Sequence, residues 1–450
     1  MQLVNKRRSN VCRALAAAAA GLLQSTQANA ADTTTTFESG VLYYKENGGR
    51  VQAIEPSVTA SYDFGNQHRL SLGVIYDSLT GASPNGAVPS TQSQNFVTPI
   101  KIGSTKTSVT SASGGSTIIS IPPTPGQLAQ AAFGRQYTVD AGKLPVDPGF
   151  KDQRIAANVD WSQPMFEGST IGFGAGFSHE HDYQSLGAHT RLAQDFNDKN
   201  TTVSLALNYE HDTSRPLGGI PVPFTSMSPQ WKGPNDGKNG VDAVLGVTQI
   251  MNRFWLTQFN YSYSWSNGYQ NDPYRVISVV APLTGLPVDN LYESRPEKRR
   301  RQSLYWDNRI HMDRDVLDLS LRYFWDDWGV HSITADISDR FSFARRWFIE
   351  PHGRFYHQDS ASFYKPYLVQ GQPRPANATS DTRLGTFNAY TGGLKLGWIP
   401  NKVDELGLRV EYYKQVGNGH PPGAIGQLAK QDLFAQVSAV SATLSYSYGF

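Results

Sequence analysis

In the stretch AVSATLSYSYGF (439–450), Ala442, Leu444, Tyr446, Tyr448 and Phe450 alternate with Ser441, Thr443, Ser445, Ser447 and Gly449. Successive side chains of a strand point to opposite faces. One face here suits lipid and the other a wet interior, the two-residue repeat of a membrane-barrel strand. Phe450, with Tyr448 and Tyr446 two and four residues before it, also has the form of the signal by which barrel-assembly machinery receives its clients.

The same alternation recurs along the chain. Leu70, Leu72, Val74 and Tyr76 form one such face, Ile171, Phe173, Ala175 and Phe177 another, and Leu406, Leu408, Val410 and Tyr412 a third. Each run is about ten residues, the length a tilted strand needs to cross a bilayer. Runs begin near residues 37, 51, 68, 154, 169, 184, 201, 241, 254, 303, 317, 331, 347, 385, 405 and 434. An even count is what single-chain bacterial barrels require. The fold expected is therefore all-β: a transmembrane antiparallel β-barrel of about 16 strands.

The connections follow a second rule. GNQ (65–67), NDKN (197–200) and DRD (313–315) are turn-like, whereas the longest connections, 78–153, 214–240, 267–302, 359–384 and 418–433, fall between such turns. Short periplasmic turns alternating with long outer loops is the topology of these barrels, and it places both chain ends in the periplasm.

Composition agrees. Lys6, Arg7, Arg8 and Arg13 precede the apolar ALAAAAAGLL, and Ala28-Asn29-Ala30 offers a cleavage site. Residues 1–30 read as a secretory signal peptide, with 31–450 the barrel. The one cysteine, Cys12, falls inside that leader, so no disulfide, thiolate metal site or c-type haem is expected. Lys and Arg number 40 against 38 Asp and Glu, a balance that argues against a nucleic-acid partner. Aromatics make up 12% while the mean hydropathy is −0.42, and no run approaches the roughly 18 apolar residues of a spanning helix.

The inward faces carry mixed charge. The pattern places Glu55 on the second strand, Asp307 and Arg309 on the tenth, and Asp318 and Arg322 on the eleventh. Asp336 and Arg340 follow on the twelfth, Glu350 and Arg354 on the thirteenth, and Arg409 and Glu411 on the fifteenth. Half-buried charges must pair, so these residues read both as a salt-bridged wall and as the lining of a pore. Their density on strands ten to thirteen predicts a constriction there.

Other groupings carry less chemistry. His179 and His181 share a face but lack a third metal ligand, so they read as a polar rim. Lys298-Arg299-Arg300-Arg301 is a basic rim that suits lipopolysaccharide phosphates. Neither a G-x-S-x-G elbow nor an H-E-x-x-H helix occurs; no enzyme activity and no cofactor are expected, with a barrel-embedded hydrolase the minor alternative.

DSLTGASPNGA (77–87) opens the longest connection. Asp77, Gly81, Pro84 and Gly86 at its start and Asp152 at its end read as the hinge of a loop that bends into the lumen, with Asp77 near Arg322, Arg340 and Arg354.

DSLTGASPNGA, LPVDPGFKDQRIA (144–156), ESRPEKRRRQ (293–302), YFWDDWG (323–329) and FYHQDSASFY (355–364) together resemble a family of Gram-negative outer-membrane proteins known as a domain of unknown function. The resemblance implies an outer-membrane barrel and brings no catalytic residue. It also implies gene clusters that encode flavin-attaching or redox proteins; lacking C-x-x-C-H, this chain would leave electrons to a partner.

Two functions follow as expectations. One is a porin-like passive channel for small polar solutes, narrowed by the long loop. The other is a non-conducting scaffold or sheath for a periplasmic or surface partner. In either case the surroundings expected are outer-membrane lipid, lipopolysaccharide and the barrel-assembly machinery.

Overall fold

Alternation along the strands closes into a ring in the computed structural model, which describes residues 34–449 apart from 66, 99–104, 111–115, 122–134, 228–234 and 402. The leader read at 1–30 and Phe450 lie outside the described residues. The barrel strands are β1 (Thr34–Glu46), β2 (Gln52–Asp63), β3 (Arg69–Pro84), β4 (Val146–Pro164), β5 (Ser169–His179), β6 (Tyr183–Phe196), β7 (Thr201–Ser214) and β8 (Asp236–Asn252). There follow β9 (Trp255–Gly268), β10 (Lys298–His311), β11 (Asp315–Asp326), β12 (His331–Ala344), β13 (Trp347–Gln358), β14 (Phe387–Trp398), β15 (Glu405–Gly417) and β16 (Val437–Gly449).

Each strand pairs antiparallel with its chain neighbours, and β1 pairs with β16 from Thr36↔Gly449 to Glu46↔Ala439. Closure satisfies every strand edge, which a bilayer demands because it offers backbone groups no water. The sixteen strands expected from the sequence are the sixteen that form the ring.

The outward face is apolar. Val41, Leu72, Phe173, Leu205, Phe259, Leu394 and Leu444 are all exposed there. Phe64, Phe166, Phe196, Phe254 and Trp347 stand exposed by the short turns, an aromatic girdle at one membrane interface. On the inner face, strand glycines leave room for their neighbours. A Cβ on Gly174 would stand 2.4 Å from the His189 ring.

One rim carries only short turns and the other carries the long connections. On the long-loop rim the strands outrun the sequence reading. β3 continues to Pro84 and pairs with β4 through Asp77↔Arg154, Leu79↔Asp152 and Pro84↔Val146. The longest connection is thus 85–145, and Asp77, Gly81, Pro84 and Asp152 lie in strands, not at a hinge. A bulge between Gly81 and Ser83, with Gly81 at φ 140°, lets turn-forming residues continue the ladder.

The long connections fold together into a cap. Its centre is the strand Val276–Val280, set between Pro287–Tyr292 and Leu368–Val369. Val276 packs with Ala87, Phe96, Val139 and Tyr292, and Val280 with Val88, Leu428 and Leu433. On the opposite side Ile277 packs with Leu291, Leu368 and Ala378. Described residues of loops 85–145, 359–386 and 418–436 thereby pack in three apolar clusters around the central strand of loop 269–297. The described ends of the longest connection join this structure, whereas 99–104, 111–115 and 122–134, within the loop read as bending into the lumen, lie outside the described residues.

Candidate functional site: the inner face and its cap

The cap is seated on inward-facing barrel residues. Phe434 of loop 418–436 packs on Phe387 and Ala389 of β14, with Tyr356 of β13 and Tyr413 of β15 alongside. Leu384, Ala361 and Phe363 pack on Trp328 and Val330 of the β11–β12 turn, beside Phe324 of β11. Buried Gln358 at the end of β13 donates Nε2 to the carbonyls of Arg383 (2.9 Å) and Gly385 (2.8 Å). Asp326 accepts from the backbone N–H groups of Trp328 (3.0 Å) and Val330 (2.8 Å) and from Arg299 Nε (2.8 Å). That guanidinium lies 4.2 Å above the Trp328 ring.

A buried ionic knot ties two of the loops. Glu293 and Asp381 are each 1% exposed. Arg295 Nη2 reaches Asp381 Oδ2 (2.9 Å) and Glu293 Oε2 (3.0 Å), while Arg383 Nη2 reaches Asp381 Oδ2 at 2.7 Å. Arg275 Nε stands 3.5 Å from both Asp272 and Asp381, and Glu293 also accepts from the Asp272 N–H at 2.6 Å. Burial works to raise the Asp381 carboxyl, but Arg275, Arg383 and Arg295 together hold it far below the usual carboxylate range. For Glu293 burial prevails over Arg295 and the carboxyl is raised.

Below the cap, five residues singled out from the sequence, Arg354, Asp336, Glu411, Arg409 and Glu350, are linked through His352 into a chain of alternating charge. Arg354 Nε donates to Asp336 Oδ2 (2.5 Å), which also faces His352 Nε2 (3.1 Å). His352 Nδ1 faces Glu411 Oε1 (2.7 Å), and Arg409 Nη1 donates to the same oxygen (3.3 Å). Arg409 Nη2 completes the chain on Glu350. These links pass from β13 to β15 over β14, which presents Gly393; a Cβ there would stand 2.5 Å from Glu411 Cγ.

Nearer the short turns, Arg340 Nη2 and Lys395 Nζ hold the two oxygens of Glu405 (2.8 and 2.6 Å). Arg340 lies 3.6 Å above the Phe348 ring, in the space that Gly397 leaves open.

The remaining candidates are more dispersed. Arg309 donates to Asp318 (2.7 Å), and Asp307 accepts from the Tyr305 hydroxyl (3.2 Å). Arg322 is exposed on the inner face and has no ion pair among the described residues. Glu55 stands 3.8 Å from Arg154 Nη2. Arg154 Nε is engaged with buried Asp77 at 2.7 Å, so Asp77 meets Arg154 instead of the arginines of β11–β13. The densest grouping is on β12–β15, displaced from the tenth-to-thirteenth strands indicated by sequence, because β14's glycines let its neighbours pair across it. A cavity of about 480 Å³ opens there, bounded by Tyr44, Asp336, Glu350, His352, Arg354, Arg409, Glu411, Tyr413 and Ser441.

At the long-loop rim, His179 stacks on outward Phe177 (6.3 Å between centroids) and joins no ligand set among the described residues. The carboxylates that converge are Asp152, Glu180 and Asp182, with Arg154 close by. Burial and the charges of Asp152 and Asp182 push Glu180 up to about 7. Tyr446 and Tyr448 stack near the end of β16, ring centroids 6.4 Å apart.

Residues 11–448 match the family described as "Protein of unknown function (DUF3570)". The chain belongs to that family. A comparison with curated proteins finds no match. Among solved structures, a bacterial polysaccharide outer membrane secretin is similar at 9% identity and a TM-score of 0.43, over 93% of this chain and 98% of that one. OpdK of Pseudomonas aeruginosa, solved with vanillate, is similar at 9% identity and 0.38, over 93% and 99%. A variant of the ferric enterobactin receptor PfeA from Pseudomonas aeruginosa matches at 12% identity and 0.41, over 93% of this chain and 60% of that one. These likenesses concern the barrel fold alone, which resembles that of outer-membrane proteins.

Proposed function

We propose that the chain is an outer-membrane channel for small polar solutes, with its long loops outside, its short turns in the periplasm and its bore narrowed by the cap. The observation that carries this reading is the charged, polar cavity of about 480 Å³ inside a closed ring of sixteen strands. A ring of this size encloses more width than wall side chains fill, and hydrated charges along the bore favour water and polar solutes over a dry core. Reconstitution into liposomes tests it. Swelling in isosmotic arabinose and slower swelling in a trisaccharide support a narrow channel; no swelling in either removes it.

The cap supports a second reading. Its apolar interior spans several loops, as a lid or a docking platform would. On that reading the barrel is a scaffold, impermeable in the same assay and retained on a periplasmic or surface partner.

A further inference from the structure

The two halves of the inner wall differ in charge. On β10–β15 most acids are matched, and Asp307, held by the Tyr305 hydroxyl, is the exception without an ion pair among the described residues. Asp318 meets Arg309, Asp326 meets Arg299, Glu350 meets Arg409 and Glu405 meets Arg340 and Lys395. Arg322 is left over on that side as an unmatched cation.

The half formed by β1–β8 is different. The inward positions of its strands carry four Lys or Arg residues: Arg69, Arg154, Arg191 and Lys238. Arg154 is engaged by Asp77 and Lys238 by Asp212 (2.7 and 2.9 Å). Glu38, Asp63, Asp195 and Glu210 face inward with no ion pair to Lys or Arg among the described residues. Glu38, Asp63 and Asp195 stand toward the short-turn end, Asp63 opposite Arg69 in the register, and Glu210 toward the long-loop end, so acids without an ion pair stand at both ends of the bore. Within about a Debye length, ~8 Å at physiological salt, such a wall concentrates cations and excludes anions.

We propose that this barrel selects small cations and cationic solutes, with the β1–β8 wall as its selectivity surface. The inference rests on the channel reading and deepens it. The test is the reversal potential of the full barrel in planar bilayers under a tenfold potassium chloride gradient. The sign expected is that of potassium permeating several-fold faster than chloride. The combined variant Glu38→Gln, Asp195→Asn, Glu210→Gln should move the potential toward zero at nearly unchanged conductance. Arg322→Gln, on the opposite wall, should leave or increase the cation preference.

A conducting wild-type barrel that prefers chloride, or a triple variant as selective as wild type, overturns the selectivity and leaves the channel standing. Silent wild-type barrels of normal heat-modifiable mobility overturn the channel reading, and the selectivity with it.

Discussion

Gly86 rests on Val276. The Cβ that Gly86 lacks would stand 2.3 Å from the Val276 carbonyl oxygen and 2.6 Å from the Ser380 hydroxyl, and its φ is 95°. Three loops meet at this seam, since Val276 N–H donates to the Asn85 carbonyl (2.9 Å) and Ser380 Oγ donates to the carbonyls of Gly86 and Val276 (2.7 and 2.8 Å). Only glycine supplies both the space and the backbone conformation. Gly86→Val should loosen the cap while the barrel stays intact. Amide hydrogen exchange over 276–280 checks this: faster exchange is expected beside an unchanged heat-modifiable band, and wild-type protection would contradict it.

Gly397 and Gly392 lie on opposite faces of β14 and should respond differently. A Cβ at Gly397 would stand 2.0 Å from the Phe348 ring, whereas at Gly392 it would meet nothing within 4 Å. Gly397→Ala must displace Phe348 and the Arg340 stacked on it, an overpacking cost of about 1–3 kcal/mol. The barrel should unfold in SDS several degrees lower than wild type, and Gly392→Ala should not. Equal melting of the two variants would count against the inward register of β14.

The ionic knot makes the cap resistant to mild acid. A carboxyl held below its unfolded value, as at Asp381, contributes stability above the unfolded pKa and loses it only as pH falls through the lower folded value. Glu293, held above its ordinary value, has the opposite sign and gains as pH falls toward the unfolded value. Cap protection should therefore hold from pH 7 to about 5, above the ordinary carboxylate range. Asp381→Ala removes the carboxylate that three arginines share and should cost about 3–5 kcal/mol in the cap. Hydrogen exchange at both pH values measures each effect, and a wild-type cap that opens by pH 5 would refute the assignment.

Glu180 gives the rim a titration of its own. Its carboxyl is raised from 4.5 to about 7, so the folded rim binds a proton more tightly than the unfolded chain does. Local stability should fall as pH rises from 4.5 to 7 and level off above. Glu180→Gln should abolish that slope at residues 180–182. A slope that persists in the variant would place the titration elsewhere.

Much of this architecture could be read from alternation, because a membrane barrel must expose apolar residues on one face of every strand and polar ones on the other. Leu406, Leu408 and Val410 against Arg409 and Glu411 declare their faces without any tertiary information. The cap could not be read in that way. Val276–Val280 is buried on both faces, so its sequence has no two-residue repeat, and its partners come from connections far apart in the chain. DSLTGASP looked like a hinge because its residues favour turns, yet the partner strand from Val146 outweighs that local preference. The ionic knot did leave a trace: Asp272 with Arg275, Glu293 with Arg295 and Asp381 with Arg383 each set an acid two or three residues before an arginine. Spacing shows such pairs but not that three of them converge.

The central claim is a polar bore narrowed by a cap of cooperating loops. Single-channel conductance in planar bilayers tests it most directly, with wild type, Gly86→Val and Asp381→Ala recorded side by side. Wild type should open in small steps, and both cap variants in larger ones, from barrels of normal heat-modifiable mobility. Equal steps from all three, or silence from all three, would contradict it.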